Sequence, residues 1–199
     1  MTHAEVTALL LFCTAVSFTP GPNTTLSTTL AANFGLRGAL RFVFAVPVGW
    51  GLLFTLCALG LGAVVAAAPV LQGGITWVGV GYMLWLAFKL SQSGGLSATS
   101  SSRFTVTFWQ GVGLQFVNIK AWMLALSVVA GFIAGRPQFA ERYTVVLIVM
   151  LAFATVSNLA YALVGSVLRN WLAKGQRLLA FNRVMALVLV VTAIWMSRL

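Results

Sequence analysis

Six long and nearly continuous apolar tracts constrain this chain more than any other feature of its sequence. A helix needs about 20 mostly apolar residues to cross roughly 30 Å of hydrocarbon. A membrane β-barrel would instead show short strands of alternating polarity. The tracts therefore predict an all-α, polytopic membrane protein with six transmembrane helices, at approximately Val6–Asn33, Phe42–Ala67, Ile75–Leu90, Thr105–Ala134, Thr144–Leu168 and Leu178–Met196.

Charged residues are too scarce to cover a surface in water. They make up 7% of the 199 residues, against roughly a quarter in soluble domains. The net charge of +10 does not indicate a nucleic-acid partner, because the bases lie singly between the apolar tracts. The chain starts Met-Thr-His-Ala-Glu, without Lys or Arg, so we expect the first tract to stay a membrane helix and not to be a cleaved signal peptide.

The basic residues favour one side of the membrane. If the six tracts alternate in direction, the first, third and fifth loops hold Arg37, Arg41, Lys89, Arg103, Arg169, Lys174, Arg177 and Arg183. The other side holds only Arg136, Arg142 and Arg198. Cytoplasmic loops carry an excess of Lys and Arg, so this asymmetry predicts that both termini lie outside, on the periplasmic side.

A polar stretch rich in Gly and Ser divides the chain into halves with three tracts each. We expect one transmembrane domain over residues 1–199, built from a three-helix repeat (1–90), a flexible linker (91–104) and a second three-helix repeat (105–199). Three crossings invert the second half relative to the first, as in inverted-repeat transporters. Ungapped pairing of Ser17–Phe34 with Gln115–Phe132 places the polar interruption of the first tract opposite that of the fourth.

The interruption of the first tract reads Thr19, Pro20, Gly21, Pro22 and Asn23. Proline removes an amide donor and clashes with the preceding turn, so this segment should break the helix. Backbone groups freed inside hydrocarbon need protein or a watery cavity to satisfy them. The first amides of the new half-helix, near Asn23 and Thr24, are suited to hold a carboxylate. A purely structural kink is the alternative.

The interruption of the fourth tract contains Lys120 together with Gln115 and Asn118. Lys120 lies about 16 Å along a helix from Trp109, near the centre of the bilayer. A lysine at that depth costs about 2.5–3.5 kcal/mol on insertion scales, so it should point into the protein. We expect its ammonium to face the anionic end of a substrate. The alternative is that it only binds carbonyl groups freed by the first break.

Other polar groups within the tracts are weaker candidates. Tyr82, Asn158 and Tyr161 are further candidates for lining the substrate site, although hydrogen bonding between helices is their default role. The two carboxylates, Glu5 and Glu141, lie near membrane edges. Coupling to protons would thus rely on the substrate, Lys120 or Glu5. With a single histidine, His3, we expect no metal site, and we expect no cofactor.

Three motifs together resemble the lysine exporter/RhtB (LysE) family. They are Thr19–Asn23, the stretch from Trp77 to Lys89, and the stretch from Gln115 to Trp122. The Gln-Phe-Val-Asn-Ile-Lys version is most similar to the branch that exports cysteine and O-acetylserine. Ile119 stands where the family usually has proline, which leaves open whether the fourth helix breaks fully.

The resemblance implies a secondary transporter in the bacterial inner membrane that exports small amino acids or derivatives. Cysteine, O-acetylserine and threonine- or homoserine-like compounds are the implied substrates. The implied functional core is Pro20, Gly21, Pro22, Asn23, Asn118 and Lys120. Coupling to protons and a homodimer are left open.

Two other functional classes compete with a carrier. A membrane thiol oxidoreductase would need cysteines at equivalent positions of the two halves, but Cys13 and Cys57 fall opposite Gly111 and Thr155. A channel or a metal or cation exporter is the closer alternative. Metal transport would require His, Cys or carboxylate ligands within the membrane, and only the cysteines are of this kind.

Overall fold

The computed structural model describes residues 1–93 and 105–198, so most of the predicted linker, residues 94–104, lies outside the described residues. The described residues form helices without strands, which confirms the all-α prediction. The eight helices found there are α1 (His3–Ser17), α2 (Pro22–Ala58), α3 (Leu61–Ala67), α4 (Pro69–Ser91), α5 (Phe108–Val117), α6 (Ile119–Phe132), α7 (Phe139–Leu172) and α8 (Arg177–Met196).

Four of these helices, α2, α4, α7 and α8, are long and apolar enough to cross a membrane. The pair α5 and α6 passes the same test as one span bent by 66°. Helix α1 is apolar but shorter, with 15 residues. The last predicted tract, Leu178–Met196, matches α8 to within one residue. Helix α7 extends beyond its predicted tract at both ends.

Both predicted helix breaks are present. Helix α1 ends at Ser17 and α2 begins at Pro22, whose ring is well suited to a first helical position. Helix α5 ends at Val117, and Asn118 adopts an extended conformation before α6 starts. The Asn118 side chain accepts a hydrogen bond from the Lys120 amide at 3.2 Å. A capping asparagine thus stops one helix and starts the next without proline at Ile119.

Helix α2 contains a one-residue interruption at Gly35, where φ is 76° and ψ is 171°. Left-handed φ values favour glycine because it lacks a Cβ. Up to Gly35, the contacts of α2 move toward the carboxyl end of α7, since Ser27 contacts Asn158 and Gly35 lies against Arg169. After Gly35, the contacts move back toward the amino end of α7, since Gly51 lies against Leu147 and Leu151, and Thr55 contacts Tyr143. The two parts of α2 therefore run in opposite directions along α7.

Three predicted tract boundaries are wrong. Arg37 and Arg41, expected in a loop, lie within α2, because one glycine is enough to redirect the chain. The second tract does not continue as one helix to Ala67; it stops at Ala58, and Gly60, at φ 108°, precedes the separate α3. Helix α4 begins at Pro69, six residues before the predicted start, because proline is accepted in a first helical turn.

Close contacts between helices depend on glycine. Helix α4 packs mainly on α8 and also meets α5, while α2 lies between α7 and α5. A Cβ at Gly79 would overlap the carbonyl oxygen of Val117 at the end of α5. A Cβ at Gly165 would likewise overlap the Thr28 carbonyl oxygen. Small residues let helix backbones approach closely in membranes, and here they place α4 and α7 directly against the broken segments.

At one end of the molecule, neutral side-chain amides connect segments from the two halves of the chain. Asn33 and Asn182 exchange two hydrogen bonds, at 2.9 and 3.1 Å, and Asn182 also donates to the Ser93 carbonyl at 3.0 Å. Gly35, two residues after Asn33, also lies against the Arg169 side chain. The segments that would form the first, third and fifth loops thus come together at one end.

Ion pairs hold the opposite end, where Glu5, ahead of the first apolar tract, contacts Arg136 at 2.7 Å and Arg142 at 3.1 Å. The Thr2 amide also donates to Glu5 at 2.8 Å. This backbone hydrogen bond, followed by the contact with Arg142, lowers the pKa of Glu5 from 4.5 to about 2. The terminal amine of Met1 pairs with Glu141 at 3.2 Å.

We predict that Gly79→Ala destabilises the protein by about 1–3 kcal/mol, the usual cost of overpacking. The added methyl group would push α4 away from Val117. Gly81→Ala is the matched control on the same helix, because nothing lies within 4 Å of a Cβ there. Thermal unfolding of the detergent-purified protein measures the difference. Equal midpoints for the two variants would show that the close approach does not matter.

We predict that Glu5→Gln lowers the unfolding midpoint at neutral pH. Folding lowers the pKa of Glu5, so its stabilisation is complete above pH 4.5 and is lost as the pH falls toward 2. The gap between wild type and variant should therefore be constant from pH 7 to pH 5 and close near pH 2. Glu141→Gln is the control, with a carboxylate 53% exposed and a small expected effect. A gap independent of pH down to 2 would contradict the ion-pair account.

Candidate functional site

The two helix breaks line one cavity. Its volume is about 70 Å³, enough for roughly five water molecules at 10–15 Å³ each. Of the residues predicted from sequence, the cavity brings together Gly21, Pro22, Asn23, Thr24, Asn118, Lys120 and Asn158. Segments that are about 100 residues apart in the chain thus contribute to a single polar space.

Lys120 carries the charge of this cavity. Its Nζ donates a hydrogen bond to the Thr19 carbonyl oxygen at 3.0 Å, across the gap between the two breaks. This is the contact expected if the lysine satisfies a freed carbonyl, but an ammonium has three N–H donors. A Cβ at Gly21 would lie 3.3 Å from Nζ, so the absence of a side chain there makes room for the lysine. No carboxylate is found among the described residues that line the cavity.

The start of α2 leaves its first amides open to a ligand. Gly21 precedes the helix, and no side chain in the described structure caps the amides of the first turn in the usual way. Thr24 instead accepts from the Gly21 amide at 2.9 Å and donates to the Gly21 carbonyl at 3.0 Å, which fixes the turn. The positive end of a helix dipole therefore points at the same space as the Lys120 ammonium.

A pair of side-chain amides joins the two halves beside the cavity. Asn23 donates to Gln115 Oε1 at 2.9 Å, and Gln115 donates back to Asn23 Oδ1 at 3.1 Å. Gln115 is fully buried and also donates to the Gly111 carbonyl at 3.1 Å. Buried amides need such partners, since each one left unpaired costs free energy. Gln115 therefore holds Asn23 in position without lining the cavity itself.

Aromatic side chains satisfy the carbonyl groups that the breaks release. Tyr161 donates its hydroxyl to the Phe18 carbonyl at 2.9 Å, and Trp122 donates its indole N–H to the Phe116 carbonyl at 2.8 Å. Tyr161 does not line the cavity but supports the break behind it. Helix breaks in a membrane require this kind of internal partner.

Two other predicted residues lie away from the cavity. Pro20 is exposed in the break between α1 and α2 and does not line the cavity. Tyr82 packs against one of the hydrophobic core clusters and stacks on Trp85 with ring centroids 5.5 Å apart. A second cavity, of about 380 Å³, lies beside Trp77 and Trp122, and none of the predicted site residues lines it.

Sequence reasoning missed the apolar wall of the cavity, which α2, α6 and α7 supply through Val46, Trp50, Leu124, Met150 and Ala154. Trp50 is the unusual member, being 4% exposed with an indole N–H that has no partner among the described residues. A tryptophan inside an apolar tract is only a weak sign of a functional site. The available clue was that a buried indole N–H usually needs a hydrogen-bond partner.

The cysteines lie outside the cavity. Cys13 and Cys57 are free thiols buried in the same core cluster, and the Cys13 sulfur lies 3.0 Å from the Met150 sulfur. Within residues 1–93 and 105–198, no group of three or more His, Cys, Asp or Glu side chains is placed to hold a metal ion.

Comparison with known proteins identifies relatives over nearly the whole chain. The family model of the LysE type translocator matches residues 14–198. A cysteine/O-acetylserine efflux protein of Klebsiella pneumoniae is 29% identical over 195 residues, covering 98% of this chain and 97% of the relative. Proteins of the same name from Salmonella choleraesuis and Escherichia coli are 28% and 27% identical, each covering 98% of both chains. No solved structure matches the chain. These matches confirm the resemblance carried by the three motifs.

We predict that Gln115→Leu destabilises the protein by about 1–3 kcal/mol, because it leaves the Asn23 amide without its partner. Gln92→Leu, at an exposed position that follows α4, is the control. The unfolding midpoints of the purified variants provide the measurement. A Gln115→Leu midpoint equal to that of Gln92→Leu would show that the amide pair does not join the two halves.

Proposed function

Because the chain belongs to the LysE family of translocators, we propose that it exports small amino acids from the bacterial cytoplasm and holds them in the cavity between its two helix breaks. The chain is a multi-pass membrane transporter and not an enzyme. The observation that carries the proposal is that the Pro-Gly-Pro break and Lys120 line one cavity.

Two positive groups would bind the substrate carboxylate. The Lys120 ammonium retains two N–H donors beyond the one given to Thr19. The uncapped amides at the start of α2, next to Asn23 and Thr24, add the positive end of a helix dipole. Charge interactions are stronger away from bulk water, so an anionic group is the feature of a ligand that this cavity favours most.

The cavity also limits what the substrate can be. With no carboxylate among the described lining residues, the substrate ammonium would bind neutral acceptors such as backbone carbonyls and the Asn158 amide oxygen. With a volume of about 70 Å³, the cavity disfavours bulky substrates, and even a small amino acid would require it to widen. The relatives are named for cysteine and O-acetylserine, and we infer that these compounds, or threonine- and homoserine-like ones, are the substrates here.

We propose that the chain crosses the membrane six times as two inverted three-helix repeats within one domain. In this arrangement α1 with the first part of α2 corresponds to α5 with α6, the second part of α2 to α7, and α4 to α8. The reversal of α2 at Gly35 supports separate first and second crossings. Pro22 and Ile119 each start a half-helix after a break. In the ungapped alignment of the two halves, these two positions differ by one residue, which supports the repeat.

The same arrangement supports an orientation in the inner membrane. The segments joined through Asn33, Ser93 and Asn182 are those that the positive-inside rule assigns to the cytoplasm. The amino terminus and the residues following α6 meet at the other end, through Glu5 with Arg136 and Arg142. Both termini would then face the periplasm.

Lys120 and the substrate itself, in preference to Glu5, are the groups that we propose for proton coupling. Glu5, the third group considered, is paired with two arginines, and its pKa of about 2 keeps it ionised at neutral pH. A carboxylate that is already ionised and paired has no proton to deliver under those conditions.

We predict that Lys120→Met lowers export of O-acetylserine at subsaturating concentration by roughly 10- to 150-fold. This range corresponds to the loss of one hydrogen bond to a charged group, about 1.5–3 kcal/mol. Initial rates in proteoliposomes, normalised to folded protein, provide the measurement. Lys89→Met is the matched control, since Lys89 lies at the end of α4 over the Trp85 ring, 4.4 Å from its centroid and away from the cavity.

A rate for Lys120→Met equal to that of Lys89→Met would refute the role of the lysine in binding. Flux through the wild-type protein that rises linearly with concentration and is not inhibited by competing amino acids would refute the carrier itself and favour a channel.

A further inference from the structure

The first half of α6, residues 119–126, forms a wall between the two cavities. Successive side chains of a helix turn by about 100°, which places two sets of residues on nearly opposite faces of this segment. One face lines the first cavity with Lys120, Ala121 and Leu124. The other face lines the second cavity with Ile119, Trp122, Met123 and Leu126. A displacement of this segment therefore enlarges one cavity and reduces the other.

The sizes of the two cavities show which displacement is useful. The first cavity, at about 70 Å³, must widen before it can hold even a small amino acid. The second cavity, at about 380 Å³, lies directly behind the same segment of α6. The space that the first cavity needs is thus available on the other side of its α6 wall.

The chain at Asn118 allows α6 to move. Asn118 is extended between two helices that are bent by 66° relative to each other. Among the described residues, no backbone hydrogen bond joins α6 to α5. The bond from the Trp122 indole to the Phe116 carbonyl does cross the break, and it is part of the resistance to movement. Hinges are typically a few residues at the ends of elements that absorb a change in φ and ψ, and Asn118 occupies such a position.

The opposite end of α6 is anchored. Arg136 donates to the Gly131 carbonyl at 3.1 Å, and Arg142 donates to the Phe132 carbonyl at 3.4 Å. Both arginines also bind Glu5. A rotation about this anchored end moves the start of α6 most, and the start of α6 is the part that lies between the cavities.

A hydrogen bond in the first cavity holds the start of α6 against the first break. Lys120 Nζ donates to the Thr19 carbonyl oxygen at 3.0 Å. An ammonium binds a carboxylate more strongly than a neutral carbonyl, so the carboxylate of an entering amino acid competes with Thr19 for Lys120. Substrate binding therefore weakens a contact that keeps the first cavity narrow.

We propose that residues 119–126 swing into the second cavity when a substrate binds, and that this movement widens the first cavity to hold the amino acid. The anchored end of α6 is the pivot, and Asn118 is the flexible joint. The inference rests on the proposed function, and it applies to cysteine and O-acetylserine alike because it requires only a carboxylate. The second cavity is then the space that receives α6 and not a binding site for the substrate.

The test fills the second cavity from α4. Gly73 lines this cavity, and a Cβ there has nothing within 4 Å, so Gly73→Phe places a ring in the space without displacing the backbone. Gly74→Phe is the matched control, because a Cβ at Gly74 is equally unobstructed but the residue lines neither cavity. Equilibrium binding of radiolabelled cysteine and O-acetylserine to the full chain in detergent gives Kd, and proteoliposomes give the transport rate.

We expect Kd to rise at least about tenfold in Gly73→Phe and to stay within about twofold of wild type in Gly74→Phe, because affinity falls with the population of the widened state. Thr76→Phe fills the same cavity one turn later on α4 and should reproduce the rise. Both filling variants should unfold at temperatures no lower than Gly74→Phe, which distinguishes a blocked movement from a loss of folding.

Kd values of both filling variants equal to that of Gly74→Phe, with normal transport, would overturn this inference alone. Unchanged binding with lost transport would also overturn it, because the second cavity would then be an exit path for the substrate. A wild-type protein that binds neither amino acid would overturn the proposed function and this inference with it.

Discussion

Backbone groups that are freed where a helix breaks inside a membrane have no water to bind, so the protein must supply their partners. In this chain the two breaks largely satisfy each other. Lys120, from the second break, binds a carbonyl of the first, and Asn23, from the first, pairs with Gln115 before the second. Tyr161 and Trp122 bind the carbonyls that remain on either side. The polar cavity follows from this mutual satisfaction, because each break is stable only where the other is near.

Close approach of the surrounding helices completes the site. Gly79 brings α4 against the end of α5, and Gly165 brings α7 against the first part of α2. Helices of the same hydrophobicity as lipid gain little from burial, so their association depends on contact distance and on hydrogen bonds. The glycines thus help to set where the broken segments lie, although neither of the two positive groups proposed for the substrate carboxylate, Lys120 and the first amides of α2, belongs to α4 or α7.

The sequence was most informative where a residue is costly in a membrane. Pro20, Pro22 and Lys120 are each unfavourable in an unbroken apolar helix, and for this reason both breaks could be predicted. The interruption of α2 at Gly35 was missed because one glycine between apolar residues carries no such cost. The charges of Arg37 and Arg41 instead suggested a loop, although both residues lie within α2. The partner of Asn23 is 92 positions away, a distance over which local patterns have no information. Trp50 was missed because an apolar tract tolerates tryptophan whether its N–H is paired or not.

The amide pair between Asn23 and Gln115 differs in kind from the cluster around Glu5. Separating the amides breaks two neutral hydrogen bonds, each about 0.5–1.5 kcal/mol in net terms, and strips no ion of its counter-charge. Separating Glu5 from Arg136 and Arg142 would leave unbalanced charge at the membrane edge. The two sets of contacts therefore respond differently to solution conditions, because salt and acid weaken the ion pairs around Glu5 and leave the neutral amide pair unchanged.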